Sequence, residues 1–320
     1  MNGPTPRPPL TVSIAAAERD TGLSKDTLRI WERRYGFPTP GRDADGERAY
    51  PVEQIEKLRL VKRLMDAGHR PGRIVALALA DLQAISETRV EPAIERDAGA
   101  AARVDLQPFL DLVRRHDPAA LRAALRRQLI GCGLARFVTD VIAPLNTAVG
   151  DAWFRGQLEV YEEHLYTEAV QVVLRQALAM LPDADADARP LVLLTTFPGE
   201  PHGLGLLMAE AMLAVEGAAC LSLGVQTPLW DIVLAAAAQR SQIVAIGFTA
   251  CLNPNQVVDG LAELRAKLPA TVALWAGGSS PVLLRRRIDG VLPLALLDEV
   301  PAALRQWRAN SLVHGTSGDD

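Results

Sequence analysis

After residue 190 the chain changes texture. Four short apolar runs, LVLLTT (191–196), AACLSL (218–223), QIVAIGF (242–248) and TVALWAG (271–277), alternate with stretches of helix length. Runs rich in Val, Leu and Ile, separated by helical segments, imply βαβ units and a parallel sheet. No other feature limits the folding options as strongly. The 106–181 stretch before it carries helical periodicity throughout, and the acidic PDADADARP (182–190) reads as a hinge. The first ten residues hold four prolines and no periodic pattern, which predicts a flexible arm. Residues 11–80 are dense and patterned, 81–105 have the Ala-rich, acidic composition of a linker, and 311–320 read as a polar tail. The expected domains are therefore 11–80, 106–182 and 188–310, with no internal repeat. A length of 320 residues fits two or three domains at about 100–200 residues each.

Composition narrows the function classes. Hydrophobic residues make up 49% and charged residues 22%, an ordinary globular balance. No apolar run is long enough for a membrane span, and the N-terminus lacks the hydrophobic stretch of a secretion signal. Cys132, Cys220 and Cys251 are odd in number and far apart, which fits a reducing cytoplasm and no disulfide framework. The net charge of −4 is unevenly spread: residues 1–73 carry 14 Lys and Arg against 10 Asp and Glu, the remainder 20 against 28. A basic head on an acidic body would meet a polyanion through its first quarter.

Within that head, the segment from Ser13 reads as a short helix, a turn at Gly22 and a second helix, Lys25 to Arg34, with Ser24 as its N-cap. Leu28 and Trp31 share one face, while Lys25, Arg29 and Arg33 form a basic stripe at four-residue spacing. Such a stripe on the second helix of a helix–turn–helix suits a major groove, although a solvated charged face would look the same. A hairpin around Gly46, with Arg48 and Tyr50 on its return strand, and an amphipathic helix over 51–65 follow. The run T-G-L-S-x-x-T-L-R-x-W-E-R-R-Y-G-F-P, then R-x-Y, then the helix with its A-G-H turn resembles the winged helix–turn–helix of the MerR regulator family over residues 11–80. The resemblance implies that Arg29, Arg33, Arg34, Arg48 and Tyr50 contact double-stranded operator DNA, with Lys25 beside them. It also implies a homo-oligomer, since such heads bind palindromes in pairs. Pro92 interrupts the stretch where a dimerising helix would follow, so assembly as a dimer or tetramer is expected to come from the body.

In the body, Phe197-Pro-Gly-Glu200-Pro-His202-Gly-Leu-Gly205 lies between the first predicted strand and a helix, where open α/β sheets bind ligands. His202 could approach a large planar ligand, with Glu200 accepting from its second ring nitrogen as in metal-ligating histidines. The bland alternative is a tight turn with one exposed imidazole. Ser222 closes the second strand and Gly277-Gly278 follows the fourth, small residues that would leave a slot for an extended tail. E-x-H-x-x-G, S-x-L and G-G on a doubly wound, flavodoxin-like sheet resemble the cobalamin-binding domain of methionine synthase, corrinoid mutases and some regulators. That likeness implies His202 as the lower axial cobalt ligand and Ser222, Gly277 and Gly278 as the lining of the tail slot. The helical block resembles the bundle cap of light-sensing cobalamin regulators of the CarH type, which carries W-x9-E-H; here this is Trp153, Glu163 and His164, with Val160 between. It implies that Trp153, Val160, Glu163 and His164 enclose the upper, adenosyl side. In members whose photoproduct gains a second axial His, that His follows the Trp, and here Phe154 stands in its place. Arg155, Glu162, Arg175 and His116 read as surface.

The expectation is thus a multidomain α and α/β protein, with a winged helix–turn–helix, a helical cap and a cobalamin sheet. It would act as a repressor binding adenosylcobalamin, with methylcobalamin or hydroxocobalamin as other possible forms, and would release DNA in light. The competing readings are a cobalamin sensor blind to light, a MerR-type regulator using heme, a bilin or a protein partner, and a corrinoid methyltransferase relative. The last lacks any substrate barrel.

Overall fold

The computed structural model describes residues 11–43, 45–66, 69–88, 104–182 and 190–315. The expected arm, most of the expected linker, most of the hinge and the last five residues lie outside them. The chain forms two compact units, one of Met1–Gly99 with Asp151–Leu158 and one of Ala100–Gly150 with Glu159–Asp320.

In the first unit the order is β1 (Thr11–Ser13), α1 (Ile14–Thr21), α2 (Lys25–Tyr35), β2 (Gly41–Arg42), β3 (Arg48–Pro51), α3 (Val52–Asp66), α4 (Pro71–Ile74) and α5 (Leu79–Thr88). The strands form a small antiparallel sheet in the order β1-β3-β2. Its first strand was not read from the sequence, being only three residues long and without alternation. The turn between α1 and α2 needs Gly22, which sits at φ 67° where a Cβ is disfavoured. Ser24 caps α2 by accepting from the Thr27 N–H at 3.1 Å, as its position predicts. Leu28 and Trp31 of α2 are buried against Ile55, Leu58, Val61 and Leu64 of α3 in one core. Leu82 and Ile85 of α5 join that core, so 81–88 is a helix of the head and not linker. Their i, i+3 spacing supplies an apolar face that composition alone had concealed.

The second unit opens with α6 (Gln107–Arg114), α7 (Pro118–Cys132), α8 (Leu134–Arg136), a π-helical turn (Phe137–Ile142), α9 (Ala143–Phe154, its last turn grouped with the head) and α10 (Val160–Ala179). A capping box starts α10: the Glu162 carboxylate accepts the Glu159 N–H at 2.7 Å. The same carboxylate pairs with His116 Nε2 at 2.7 Å and is buried, which corrects the reading of Glu162 as surface. There follow β4 (Leu191–Thr196), α11 (Leu204–Val215), β5 (Ala219–Ser222), α12 (Leu229–Ala238), β6 (Ile243–Phe248), α13 (Pro254–Lys267), β7 (Ala273–Gly278), α14 (Val282–Arg285), β8 (Val291–Leu294), a 3-10 turn (Leu297–Glu299) and α15 (Val300–Gly315). All five strands pair in parallel in the order β5-β4-β6-β7-β8, the doubly wound topology expected. The fifth strand, VLPL, was missed because Pro293 argues against a strand; it is tolerated at the sheet edge, where no neighbour needs its missing N–H. The polar tail begins later than predicted, since α15 continues to Gly315. The cap packs on the sheet layer through α10 against α11, and Asn146 Nδ2 donates to Met208 Sδ at 3.2 Å across the junction.

Candidate functional site

On the head, α2 presents the basic stripe to solvent. Lys25 lies 3.7 Å from Glu18, Arg29 lies 3.2 Å from Asp26, and Arg33 is exposed without an ion pair among the described residues. Arg34 stacks by its neighbour, 5.4 Å from the Tyr35 ring centroid. Exposed pairs of this kind are worth about 0–1 kcal/mol, so phosphates can displace them. Arg48 is held differently: its Nε donates to Glu32 at 2.9 Å, and that hydrogen bond raises its pKa. Tyr50 departs from expectation. It lies wholly inside the core, its hydroxyl has no partner among the described residues, and burial raises its pKa. It belongs to the core of the head and not to its exposed basic surface. The strand puts Arg48 and Tyr50 on one side, but the packed core of the head encloses the second of them.

The second site grows from the end of β4. Thr196 Oγ1 donates to the Glu200 carbonyl at 2.7 Å and accepts from the Gln226 N–H at 2.8 Å, which fixes the loop. Gly199 turns it at φ 84°. Glu200 is thereby fully buried, while the His202 side chain beside it is 58% exposed. Glu200 Oε1 accepts from His202 Nδ1 at 2.7 Å, and Oε2 accepts from the Thr249 N–H at 2.6 Å and the Thr249 hydroxyl at 2.8 Å. The Cys251 thiol adds a longer contact to Oε2 at 3.2 Å. Burial by itself would raise the Glu200 pKa, but His202, Thr249 and Cys251 together bring it down to about 2. An ionised carboxylate only accepts, so Nδ1 carries a proton, and in the neutral ring the lone pair is on Nε2. That tautomer, on an exposed ring oriented by a buried carboxylate, suits a metal-ligating histidine. Glu200, His202 and Cys251 are also the described residues whose donor atoms, all within 4.8 Å of one another, could surround an ion. A Cβ built on Gly205 would meet nothing within 4 Å, which leaves open space beside the loop for a bulky group. The residues present therefore fit a cobalamin.

Thr249 was missed by the sequence reading, and it lies between the positions expected to line the tail slot. Ser222 ends β5 while Gly277 and Gly278 end β7, and β4 and β6 run between them. At about 4.8 Å per strand they are roughly 14 Å apart, so a slot lined by all three must cross the ends of β4 and β6. The hydroxyl at the centre is Thr249, the first residue after β6, next in the sheet to the glycine pair. The strand order 2-1-3-4-5, which the sequence does not spell out, is what moves Ser222 to the edge. Gly278 also has a structural reason: a Cβ there would come 2.1 Å from the Phe248 carbonyl oxygen.

On the cap, Glu163 accepts from Thr167 Oγ1 at 2.7 Å and contacts His164 Nδ1 at 2.9 Å, with the His164 ring largely exposed. Val160 is partly exposed at the start of the same helix. Trp153 sits in the segment grouped with the head, where the Arg63 guanidinium lies 5.0 Å from its ring centroid and donates to its carbonyl at 2.5 Å. The Phe154 side chain lies outside the described residues. No helix among those described is long and apolar enough to cross a membrane.

A winged helix–turn–helix joined to a helical cap and a doubly wound sheet, with an oriented histidine at the strand ends, defines a ligand-responsive DNA-binding regulator. Residues 12–80 match the MerR HTH family regulatory protein, and residues 106–178 match the B12 binding domain. The chain is 29% identical over 270 residues to the HTH-type transcriptional repressor CarH of Myxococcus xanthus, covering 84% of this chain and 89% of that one. To CarA of the same organism, also an HTH-type transcriptional repressor, it is 28% identical over 272 residues, 84% and 88% of the two chains. A solved monomethylamine corrinoid protein from Methanosarcina barkeri shares the fold, with a TM-score of 0.51 and 18% identity over 62% of this chain and 96% of that one. Residues 12–80 thus resemble a MerR-type head and residues 106–178 a B12-binding domain, and the chain's likeness along most of its length is to the CarH type of repressor.

Proposed function

We propose that this protein is a repressor that holds operator DNA when loaded with adenosylcobalamin in darkness and lets go in light. The observation that carries the cobalamin part is the His202 imidazole, whose Nδ1 is bound at 2.7 Å by the fully buried Glu200 carboxylate, on the same chain as a DNA-reading head. Repression is supported by the names of the two Myxococcus relatives. When bound, adenosylcobalamin supplies a cobalt–carbon bond that green light breaks. His202 would hold the cobalt of a bound cobalamin through Nε2, and Glu200 with Thr249 would keep the tautomer that allows it. Trp153, Val160, Glu163 and His164 are the residues that would shield a bound cobalamin from water, and Glu163 would offer its carboxylate to ribose hydroxyls. A ligand with unequal affinity for two assemblies shifts the balance between them, and that difference sets how many heads meet the operator together. We read the assembly as a homo-oligomer, dimer or tetramer, because a palindromic site needs two heads.

The test is a gel shift with purified protein, operator DNA and adenosylcobalamin in the dark, repeated after green light. The reading expects a shift that needs the cofactor and disappears on illumination. A second reading, a cobalamin sensor blind to light, is favoured by Phe154, which occupies the position of the second axial histidine. A cofactor-dependent shift that survives illumination would select it. A shift indifferent to any cobalamin would refute both.

A further inference from the structure

A cavity of about 230 Å³ opens next to the His202 loop, walled by Gln171 and Arg175 of α10, Gly203, Glu210 of α11, Ser222 and Val225. Pro201 and Gly203, the chain neighbours of His202, both line it, so it opens along the loop that carries the imidazole. It also continues the cap's own polar face. Glu163, Thr167, Gln171 and Arg175 recur every fourth residue on α10, which stacks each above the last. Twelve residues of helix carry that stripe about 18 Å, from the proposed upper-side carboxylate down to the cavity.

The Glu210 carboxylate at the cavity is unmatched among the described residues. Glu210 is half-buried, and burial raises its pKa against the pull of Arg175. No hydrogen bond among the described residues uses its carboxylate, and Arg175 stays beyond ion-pair distance. A partly desolvated carboxylate without donors is costly, and a donor brought by a ligand would relieve it. The pair offers one group that only accepts and one that only donates, with the Gln171 amide beside them. A primary amide, with two N–H donors and one carbonyl acceptor, matches that set. The periphery of a corrin is made of such amides on short flexible arms.

We propose that this cavity is a subsite for one primary-amide arm of the corrin, with Glu210 accepting from the amide nitrogen and Arg175 and Gln171 donating to its oxygen. The inference rests on the cobalamin reading above and deepens it: Arg175, read from the sequence as surface, becomes a determinant of which corrinoid is held.

The experiment compares adenosylcobalamin with its peripheral monocarboxylic acids, each with one amide hydrolysed to a carboxylate, by dark absorbance titration of the full chain. One isomer should bind the wild type about tenfold more weakly than the parent, because its carboxylate would face Glu210. Glu210→Gln should bring that same isomer to within about twofold of the parent, while Arg175→Gln should widen the gap by about threefold or more. Thermal unfolding of each apo variant establishes that it is folded, and either variant alone decides the matter if the other fails. Equal relative affinities of every isomer across wild type and variants would overturn the subsite and leave cobalamin binding standing. No binding of the parent to wild type would overturn the cobalamin reading, and the subsite with it.

Discussion

Replacing Glu200 with Gln tests the central geometry with a change of one heavy atom. In the wild type both carboxylate oxygens accept: one from His202 Nδ1 at 2.7 Å, the other from the Thr249 N–H at 2.6 Å and its hydroxyl at 2.8 Å. An amide has one acceptor and one donor end. With its oxygen toward Thr249, the NH2 faces His202 Nδ1, which must then become the acceptor, and the proton moves to Nε2. The ring would no longer offer a lone pair to a metal. Turned the other way, the NH2 meets the Thr249 N–H, and an unsatisfied buried donor costs about 1–3 kcal/mol. Loss of a group that orients a metal-bound histidine typically costs about 10–100-fold in affinity. Glu200→Gln should therefore weaken cobalamin binding by that factor and destabilise the apo protein, as read by dark titration and by urea unfolding at pH 7. The pH dependence separates the two proteins further. The Glu200 pKa falls from an ordinary 4.5 to about 2 on folding, so the ionised group adds stability above pH 4.5 that is lost as pH falls toward 2. The integrated difference is at most about 3 kcal/mol, and the Gln variant should lack that portion of the acid loss. A variant that binds cobalamin within twofold of wild type, and unfolds like it at neutral and acid pH, would refute the argument.

The head gives two contrasting expectations. Arg33→Ala should lower operator affinity and reduce the slope of log affinity against log salt by about 0.9, the signature of one lost phosphate contact; an unchanged slope would remove Arg33 from the interface. Tyr50→Phe should leave DNA affinity within twofold and stability unchanged or slightly raised, because its buried hydroxyl has no partner among the described residues; a tenfold loss of DNA binding would restore Tyr50 as a contact. In the sheet, Gly278→Ala should destabilise the body by about 3 kcal/mol or more, since the new Cβ would lie 2.1 Å from the Phe248 carbonyl oxygen at a φ of 113°. Wild-type unfolding of that variant would show that the strand end yields without strain.

Periodicity and punctuation in the sequence determined the elements themselves. The cap at Ser24, the turn at Gly22 and the apolar runs at β4, β5, β6 and β7 depend on neighbours a few residues apart, and all appear where the local pattern puts them. The pairing of Glu200 with His202 was legible for the same reason, since two residues of separation in a short loop keep them within reach. Other features depended on what came to lie beside what. Tyr50 carries a polar tip that reads as a surface contact until the core of the head closes around it. Leu82 and Ile85 belong to the head because α3 offers them a core, whereas the composition around them speaks only of a linker. Thr249 reaches Glu200 from 49 residues away because β6 pairs directly with β4 and brings the two strand ends side by side, while Ser222 ends the edge strand β5 on the other side of β4. Side-chain chemistry and short-range pattern are properties of the linear chain. Strand order and burial are set by the free energy of packing the whole sheet and its helices together, and a linear reading samples that only through its local consequences.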